Sequence, residues 1–391
     1  FDAAWELDFW GRFRRGVEAA DASLAASISD YQDALVTLTA EVARVYVTIR
    51  TFEERIKLAK GNIILQERSL SIAQVRFQNG ATTELDVLQA ESNLTNTQAL
   101  LPTLIRGLRQ AKNALNSLLG KPPGVIDAML GDPADIPIAP TNVAIGIPAE
   151  LLRRRPDVRR AEFAAAVQSA SIGIAKADLY PSFTLFGSIG FQTSDTGNSD
   201  FGDIVSTDSL TSSFGPGFKW NIFNYGRIKN NVRAQDARFQ QTIVNYENIV
   251  LRAYQETEDS LVSFLQTQHE AKFRNDSTVA AQRSTELANL QYREGAVDFQ
   301  RVIDTERFLV DQQDQLTVAR GNIILSLIAT YKALGGGWQA ANNRAIVPTN
   351  IQNTMRKRTD WGNILPPSDL PDAAEMQKSI DSHGLSVGIR T

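Results

Sequence analysis

Side chains that commonly act in catalysis or in metal binding are scarce in this 391-residue chain. There is no cysteine, which excludes thiol nucleophiles, thiolate metal sites and disulfide scaffolds. The two histidines, His269 and His383, have no second ligand at metal-binding spacing, and a single histidine on a helix is usually a surface residue. The sequence therefore predicts no enzyme, no metal site and no cofactor.

Two other segments have a composition that could bind anions. Residues 335–337 are three glycines, but they follow a predicted helix, whereas a phosphate-binding loop leads into one. Five arginines surround Pro156: Arg153, Arg154, Arg155, Arg159 and Arg160. Because proline favours the first position of a helix, and Asp157 and Glu162 follow, we expect a helix start with internal charge pairing rather than an anion site.

The overall composition narrows the class of protein. Hydrophobic residues make up 43% and charged residues 21%, as in a folded chain, and no stretch of about 18 apolar residues could form a spanning helix. With a net charge of −4 and no extended basic block, nucleic acid is not expected as a partner. Since the chain starts at Phe1 without a signal peptide, we expect a processed or truncated product.

An internal repeat organises the chain. The offset between Trp5 and Trp220 is 215 residues, and the same offset, without gaps, aligns many further identities. They include Gly11-Arg12 with Gly226-Arg227, Tyr31 with Tyr246, Glu41 with Glu256, Gly80-Ala81 with Gly295-Ala296, Glu91 with Glu306, and Leu119-Gly120 with Leu334-Gly335. This offset predicts two copies of one structural unit. Because residues 148–219 precede the second copy, we expect a corresponding helix and strand ahead of the first copy in the full protein.

Each copy reads as a strand, a very long helix, a tight turn and a second helix. Proline is absent from residues 1–101 and 217–347. Residues 12–79 and 227–294, about 68 in each case, can therefore form helices of roughly 100 Å. Helices of that length must pack against neighbours, and we expect them to be coiled against other helices.

Glycines mark the turns between the predicted helices. Gly80 and Gly295 are expected as left-handed C-caps, and the side chains of Thr83 and Asp298 as N-caps of the return helices. The return helices are each expected to span about 36 residues, roughly 55 Å. Pro102 is expected to kink the first of them.

Three segments alternate apolar and polar side chains over about ten residues: 1–9, 182–192 and 214–222. This pattern is typical of a transmembrane β-strand with a lipid face and a lumen face, although an ordinary half-buried sheet gives the same alternation. Aromatic residues lie where the strands meet the helices, as in an interfacial girdle: Tyr180, Phe183, Phe223, Tyr225, Phe9 and Trp10. A polar loop, 193–213, joins the last two strands and suits an outward-facing position.

The number of strands constrains the assembly. Three strands, or four with the one expected upstream, cannot close a barrel, and open sheet edges are not stable in lipid. Oligomerisation is therefore expected. Three copies with four strands each would supply about twelve, within the range of outer-membrane barrels.

Several short motifs carry a resemblance that covers residues 1–340. Two are specific: residues 151–158 read Leu-Leu-Arg-Arg-Arg-Pro-Asp-Val, and residues 334–338 read Leu-Gly-Gly-Gly-Trp. Weaker ones are Trp5-Glu6-Leu7-Asp8 with Gly11-Arg12, Tyr180-Pro181-Ser182, and Tyr292 with Gly295. Together with the repeat, these motifs resemble the TolC-like outer-membrane efflux proteins, specifically the lipoprotein branch that works with resistance-nodulation-division pumps.

The resemblance implies an α+β membrane protein in which a long α-helical coiled-coil barrel joins a transmembrane β-barrel, internally duplicated and completed by trimerisation. The implied parts are a barrel strand (1–11), a first helical hairpin (12–120), an equatorial segment with a helix leading to the barrel (121–180), a barrel hairpin (181–225), a second helical hairpin (226–335) and a loosely ordered tail (336–391). The lipid-bearing cysteine of that branch would lie upstream of residue 1.

The resemblance also implies a function. The chain would form the outer-membrane channel of a tripartite pump that exports small molecules from a Gram-negative bacterium, with its helices in the periplasm. Its partners would be two further copies of itself, a periplasmic adaptor protein, an inner-membrane pump and outer-membrane lipid. Channels for type I protein secretion or for metal ions remain alternatives, as does a soluble coiled-coil scaffold from a different class.

The resemblance assigns a pore gate. In the family, an acidic side chain nine residues after the second turn glycine faces the pore at the closed periplasmic end, and here this residue is Asp304. Three-fold symmetry would bring three carboxylates together as an electrostatic constriction. Gln300, one turn nearer the tip, stands where relatives often carry an apolar gate residue. The alternative for Asp304 is a solvated face near a helix N-terminus.

The resemblance also assigns a latch and a docking surface. Tyr292 matches a tyrosine that hydrogen-bonds an aspartate, here Asp86, and Val297 replaces an arginine that reinforces this latch in relatives. Asp86 has the same alternative as Asp304. Adaptor hairpins would dock on the tips, which could also be simple turn residues: Gly80, Ala81, Thr82, Gly295, Ala296 and Val297.

Overall fold

The computed structural model describes residues 1–140, 154–191, 209–336 and 349–358. In chain order the elements are β1 (Asp2–Leu7), α1 (Arg12–Gln78), α2 (Glu84–Leu118), α3 (Val125–Leu130), α4 (Pro156–Ala177), β2 (Ser182–Phe191), β3 (Leu210–Lys219), α5 (Arg227–Arg293), α6 (Phe299–Ala333) and α7 (Thr349–Arg358). The predicted polar loop, apart from its last residues, and the tail, apart from α7, lie outside these ranges.

The long helices agree with the sequence predictions to within about one residue at each end. Helices α1 and α5 have 67 residues each, and α2 and α6 have 35 residues each. Each ends where it does because a glycine with left-handed backbone follows, and no proline interrupts them apart from Pro102, which lies inside a continuous α2.

The chain divides into two compact units. One contains Phe1–Tyr31 and Pro156–Leu251, and therefore the sheet, α4 and the first turns of α1 and α5. The other contains the described residues of Gln32–Arg155 and Arg252–Ala341, and therefore α2, α3, α6 and most of α1 and α5.

In the first unit, the three strands form an antiparallel sheet in the order β1-β2-β3. Trp5 lies opposite Leu185, and Phe183 lies opposite Phe218, so most apolar residues of the three strands share one face, whereas Phe186 lies on the other. Many of them are exposed, including Phe214 at 77%. Within the described residues, the outer edges of β1 and β3 pair with no further strand.

The predicted bounds of β3 were wrong by several residues. The strand covers Leu210–Lys219 instead of 214–222. Its first residues pair with the end of β2, where Leu210 lies opposite Phe191. The ladder stops after the pair Ser182–Lys219 because the next residue of β2 would be Pro181, which has no amide proton to donate.

The aromatic residues at the helical end of the sheet partly contact each other. Trp10 stacks on Tyr180 with ring centroids 4.4 Å apart, and its indole nitrogen donates to the carbonyl oxygen of Pro181 at 2.8 Å. Phe9 meets Phe183 edge to face at 5.4 Å. By contrast, Phe223 is 94% exposed.

The arginine cluster begins a helix, as predicted, since α4 starts at Pro156. Two of its members pair with residues outside the helix start. The Arg155 guanidinium donates to the carbonyl oxygen of Ala333 and to Glu256, both at 2.8 Å, and Arg160 pairs with Asp30 at 2.7 Å. Arg155 therefore satisfies a carbonyl at the C-terminus of α6, where no intrahelical donor is available.

Two glycines of the return helices, Gly107 and Gly321, lie directly against α1 in the second unit. A Cβ atom on Gly107 would lie 2.6 Å from the ring of Phe52, whereas a Cβ on Gly61 of α1 would meet nothing within 4 Å. We expect Gly107→Ala to destabilise the protein by about 1–3 kcal/mol through overpacking. Gly61→Ala should stabilise it by about 0.5–1 kcal/mol through helix propensity. Thermal unfolding of both variants tests the opposite signs, and shifts in the same direction would contradict the packing.

Candidate functional site at the hairpin turns

Both helical hairpins turn at a glycine with left-handed backbone. The φ angles are 71° at Gly80 and 76° at Gly295, so the predicted C-caps are confirmed. The amide of the residue after each glycine donates to the carbonyl five residues earlier, at 2.8 Å in both turns. This is the Schellman arrangement, which satisfies the free carbonyls at a helix C-terminus.

The side-chain N-caps predicted for the return helices were wrong. Thr83 and Asp298 do occupy the N-cap positions, but neither side chain forms a capping hydrogen bond. Instead, the backbone carbonyl of each accepts the amide three residues later, at 3.2 Å and 3.1 Å. Tight bonds of this kind are a common way to close the first turn of a helix.

The six tip residues differ in exposure. Four are exposed, and Thr82 and Val297 are half-buried. Val297 packs against the cluster of buried residues below the turns, which consists of Ala73, Ala90, Ala288, Tyr292, Phe299, Val302 and Ile303. The freely accessible surface of the tips is therefore Gly80, Ala81, Gly295 and Ala296.

The hydrogen bond predicted between Tyr292 and Asp86 is not formed. Tyr292 is 3% exposed, and its hydroxyl has no hydrogen-bond partner of good geometry among the described residues. Asp86 instead accepts a hydrogen bond from the hydroxyl of Thr82 on the same turn. The carboxylate is near enough to act on Tyr292 electrostatically: burial raises the pKa of the phenol, and Asp86 acts in the same direction, while Thr82 and Arg76 oppose it.

Arg76 on α1 is the residue that sequence reasoning missed. Its guanidinium carbon lies 4.7 Å from the ring centroid of Tyr292, and Nη1 donates to the carbonyl oxygens of Tyr292 at 2.5 Å and Arg293 at 3.3 Å. It therefore joins the end of α1 to the end of α5 through a cation–π contact and two helix C-terminal carbonyls. The repeat could not reveal it, since the residue at the offset of 215 is Gln291.

The two residues predicted for the gate lie together on α6. Asp304 and Gln300 are both exposed, and Nε2 of Gln300 donates to Oδ1 of Asp304 at 2.8 Å. The opposite face of the same turns is buried, with Val302 and Ile303 at 0% and 1% exposure. The amphipathic pattern of α6 thus presents the amide and the carboxylate away from the helical core.

Neither a metal site nor a membrane-crossing helix emerges from the described ranges. There, no group of three or more histidine, cysteine, aspartate or glutamate side chains could hold a metal ion. None of the helices in these ranges combines the length and apolar character needed to cross a membrane. His269 is exposed on α5, and His383 lies outside the described residues.

Sequence comparisons give one family. A sequence model described as "Outer membrane efflux protein" matches residues 1–121 and 147–336. The pyoverdine export outer membrane protein OpmQ of Pseudomonas putida is 31% identical over 338 residues, covering 86% of this chain and 70% of the relative. The toluene efflux pump outer membrane protein TtgF of the same species is 29% identical, covering 89% of this chain and 71% of the relative.

Comparisons with solved structures give the same type of protein. The outer-membrane channel OprN matches with a TM-score of 0.82 and 33% identity, covering 86% of this chain and 75% of that one. CusC, whose structures describe transmembrane channel formation, matches with a TM-score of 0.78 and 26% identity, covering 86% of this chain and 77% of that one.

Proposed function

Because the chain belongs to the outer membrane efflux protein family, we propose that three copies of it form the outer-membrane channel of a tripartite efflux pump. Proteins of this family are channels and not enzymes. They lie in the outer membrane of Gram-negative bacteria, and their helical part extends into the periplasm. The proposal concerns the trimer, its partners and the residues that gate it.

The observation that carries the channel proposal is the sheet. One face is apolar and exposed, the other bears residues such as Glu6, Thr184 and Lys219, and both edges lack a partner within the described strands. A sheet with this pattern is stable in lipid only when its edges are paired and it closes into a barrel. Pairing with neighbouring copies would close it and leave the polar face around the lumen.

Internal duplication is supported by the helices. The two long helices have equal lengths, as do the two return helices, and each pair starts 215 residues apart, at Arg12 and Arg227 and at Glu84 and Phe299. Three copies with two hairpins each would surround the lumen with six pseudo-equivalent hairpins. The domain boundaries given above follow these elements.

We assign small molecules as cargo, and a periplasmic adaptor and an inner-membrane pump as partners. The support for the cargo is that related proteins are named for the export of pyoverdine and toluene. The exposed tips Gly80, Ala81, Gly295 and Ala296 would receive the adaptor, since small side chains allow helix ends to approach closely. Thr82 and Val297 would support the tips from inside.

We assign the gate to Asp304 with Gln300, and the latch to Tyr292 with Arg76. In the trimer, three Asp304 carboxylates would narrow and charge the entrance, and Gln300 would orient each carboxylate through its hydrogen bond. In the latch, Asp86 would act through its charge and through Thr82 rather than through a direct bond to Tyr292.

One set of experiments on the full-length protein tests both the channel function and the gate. We expect heat-modifiable trimers in outer-membrane fractions and cation-selective currents in planar bilayers. Asp304→Ala should increase single-channel conductance and reduce cation selectivity, because it removes the charged constriction. Asp276→Ala, which removes an exposed aspartate of α5, is the matched control and should change neither.

The outcomes separate the two claims. A protein that is freely soluble without detergent would end the channel proposal. A conducting trimer in which Asp304→Ala leaves conductance and selectivity unchanged would remove Asp304 from the gate and leave the channel standing.

A further inference from the structure

One carboxyl group is buried where four helices meet. Glu306 lies two residues beyond Asp304 on α6, on the opposite face of the helix, and is 2% exposed. Oε1 accepts from the hydroxyl of Ser69 on α1 at 2.5 Å, and Oε2 accepts from the amide of Asn93 on α2 at 3.1 Å. Asn289 on α5 also hydrogen-bonds the carboxyl group. Each of the four helices thus contributes one side chain to this cluster.

No charged side chain of the described residues contacts this carboxyl group. On all four helices the nearby charged residues are exposed: Arg68 on α1, Glu91 on α2, Glu286 on α5, and Asp304 and Arg307 on α6. Arg307 alone joins the network, and only indirectly, by donating from Nε to Oδ1 of Asn93 at 3.1 Å. An ionised Glu306 would therefore be a buried charge without a counter-ion, which is costly.

The count of protons in the cluster also favours the neutral acid. The Ser69 hydroxyl has one proton but three acceptors within reach: Oε1 of Glu306, Oδ1 of Asn289 at 3.2 Å and the carbonyl oxygen of Leu65 at 3.3 Å. A protonated Glu306 could donate to the Ser69 oxygen and free the serine proton for one of the other two acceptors. A single added proton therefore improves the hydrogen bonding of three groups at once.

We propose that Glu306 is a proton-binding site that couples the packing of the four helices beside the gate to pH. With the proton bound, the cluster is neutral and the helices pack tightly. Without it, the buried charge draws in water and weakens the same contacts. The group that senses pH is Glu306, present once in each of the three copies. The packing between the two helical hairpins responds to its protonation.

The direction of the effect follows from the burial of the group. Burial raises the pKa of Glu306 above its ordinary value of 4.5, and the hydrogen bonds from Ser69, Asn289 and Asn93 oppose this only in part. Because the folded state holds the proton more tightly than the unfolded state, stability falls as pH rises above 4.5 and levels off above the pKa of the folded protein. Acid should therefore tighten the packing and alkali loosen it.

The consequence for the channel rests on the proposed function. If opening of the tips hydrates Glu306, the open state has the lower pKa and higher pH favours opening. For each protomer that titrates, the open-to-closed ratio can then rise by at most about tenfold per pH unit.

The test compares the full-length protein with Glu306→Gln and Glu91→Gln between pH 5 and pH 8. Glutamine has the same shape and, like the neutral acid, one donor and one acceptor side. Glu91 is the matched control, because it stands at the repeat-equivalent position of α2 and is exposed. We expect the melting temperature of Glu306→Gln relative to the parent to rise by roughly 2–4 °C or more between pH 5 and pH 8, with Glu91→Gln following the parent throughout.

Two outcomes would overturn the proposal. One is a melting temperature of Glu306→Gln that differs from the parent by a constant amount at all pH values, which would indicate a merely structural glutamate. The other is a pH series of infrared difference spectra, parent against Glu306→Gln, in which the band of the protonated carboxyl group is lost at or below pH 4.5, the ordinary value for glutamate. If Glu306→Gln does not fold, Asn93→Ala replaces it: Asn93 only donates to the carboxyl group, so losing this donor should move the parent's pH midpoint upward, and an unmoved midpoint counts against the site. None of these measurements requires conduction, so they stand apart from the test of the channel.

Discussion

Replacing Arg50 with alanine is expected to destabilise the protein by about 3–5 kcal/mol, the largest stability effect we predict. Arg50 and Glu53 form an ion pair at 2.7 Å in which both side chains are only 5% exposed. The guanidinium also donates to the carbonyl oxygens of Leu130 at 3.1 Å and Asp132 at 3.2 Å. Alanine would leave the Glu53 carboxylate buried without its counter-ion, and the end of α3 and the residues after it would lose two hydrogen bonds to α1. Thermal or denaturant unfolding measures the loss.

A matched pair on the same helix supplies the control. Arg44 and Glu41 have the same spacing and the same 2.7 Å separation, but their side chains are 54% and 36% exposed. Arg44→Ala should therefore cost less than about 1 kcal/mol. A double replacement of Arg50 and Glu53 by methionine should cost less than Arg50→Ala, because it leaves no unpaired charge. Equal costs for Arg50→Ala and Arg44→Ala would contradict the assigned burial.

The helices were predictable from the sequence because their limits are set locally. Glycine ends α1 and α5 in a left-handed turn, and the absence of proline lets each helix continue, so 67-residue helices could be placed to within about one residue. The start of β3 was not predictable in this way. Leu210–Ser213 has no alternation of apolar and polar residues, and only its pairing with the end of β2 makes it a strand.

For the candidate site, the sequence predicts which residues lie near the turns but not what they contact. The sequence repeat identifies Glu91 with Glu306, yet Glu91 is exposed and Glu306 is buried. The repeat predicts which residue types recur, but burial depends on which neighbours each return helix packs against. The same reason explains the latch. The geometry around Tyr292 is decided by Arg76, which comes from another helix and has no counterpart in the second copy.

Replacing Arg76 with alanine is expected to cause the largest change in gating, a rise of roughly tenfold or more in the fraction of time that channels spend open. The variant loses the cation–π contact to Tyr292 and the charged hydrogen bonds to the carbonyls of Tyr292 and Arg293. These contacts join the ends of α1 and α5, so their loss should release the tips. Single-channel recordings of the full-length protein in planar bilayers measure the change. Arg68→Ala, an exposed arginine two turns earlier on α1, is the control and should behave like the parent.

A second variant distinguishes the arginine latch from a tyrosine–aspartate hydrogen bond. Tyr292→Phe removes a buried hydroxyl that has no hydrogen-bond partner of good geometry among the described residues, and it keeps the ring that Arg76 contacts. Deleting an unsatisfied buried polar group costs nothing or stabilises the protein, so Tyr292→Phe should leave gating unchanged. If Tyr292→Phe opens the channel as strongly as Arg76→Ala does, the hydroxyl is the latch and the arginine assignment is wrong. If Arg76→Ala opens the channel and Tyr292→Phe does not, the two hairpins are held by the Arg76 guanidinium at the C-terminus of α5.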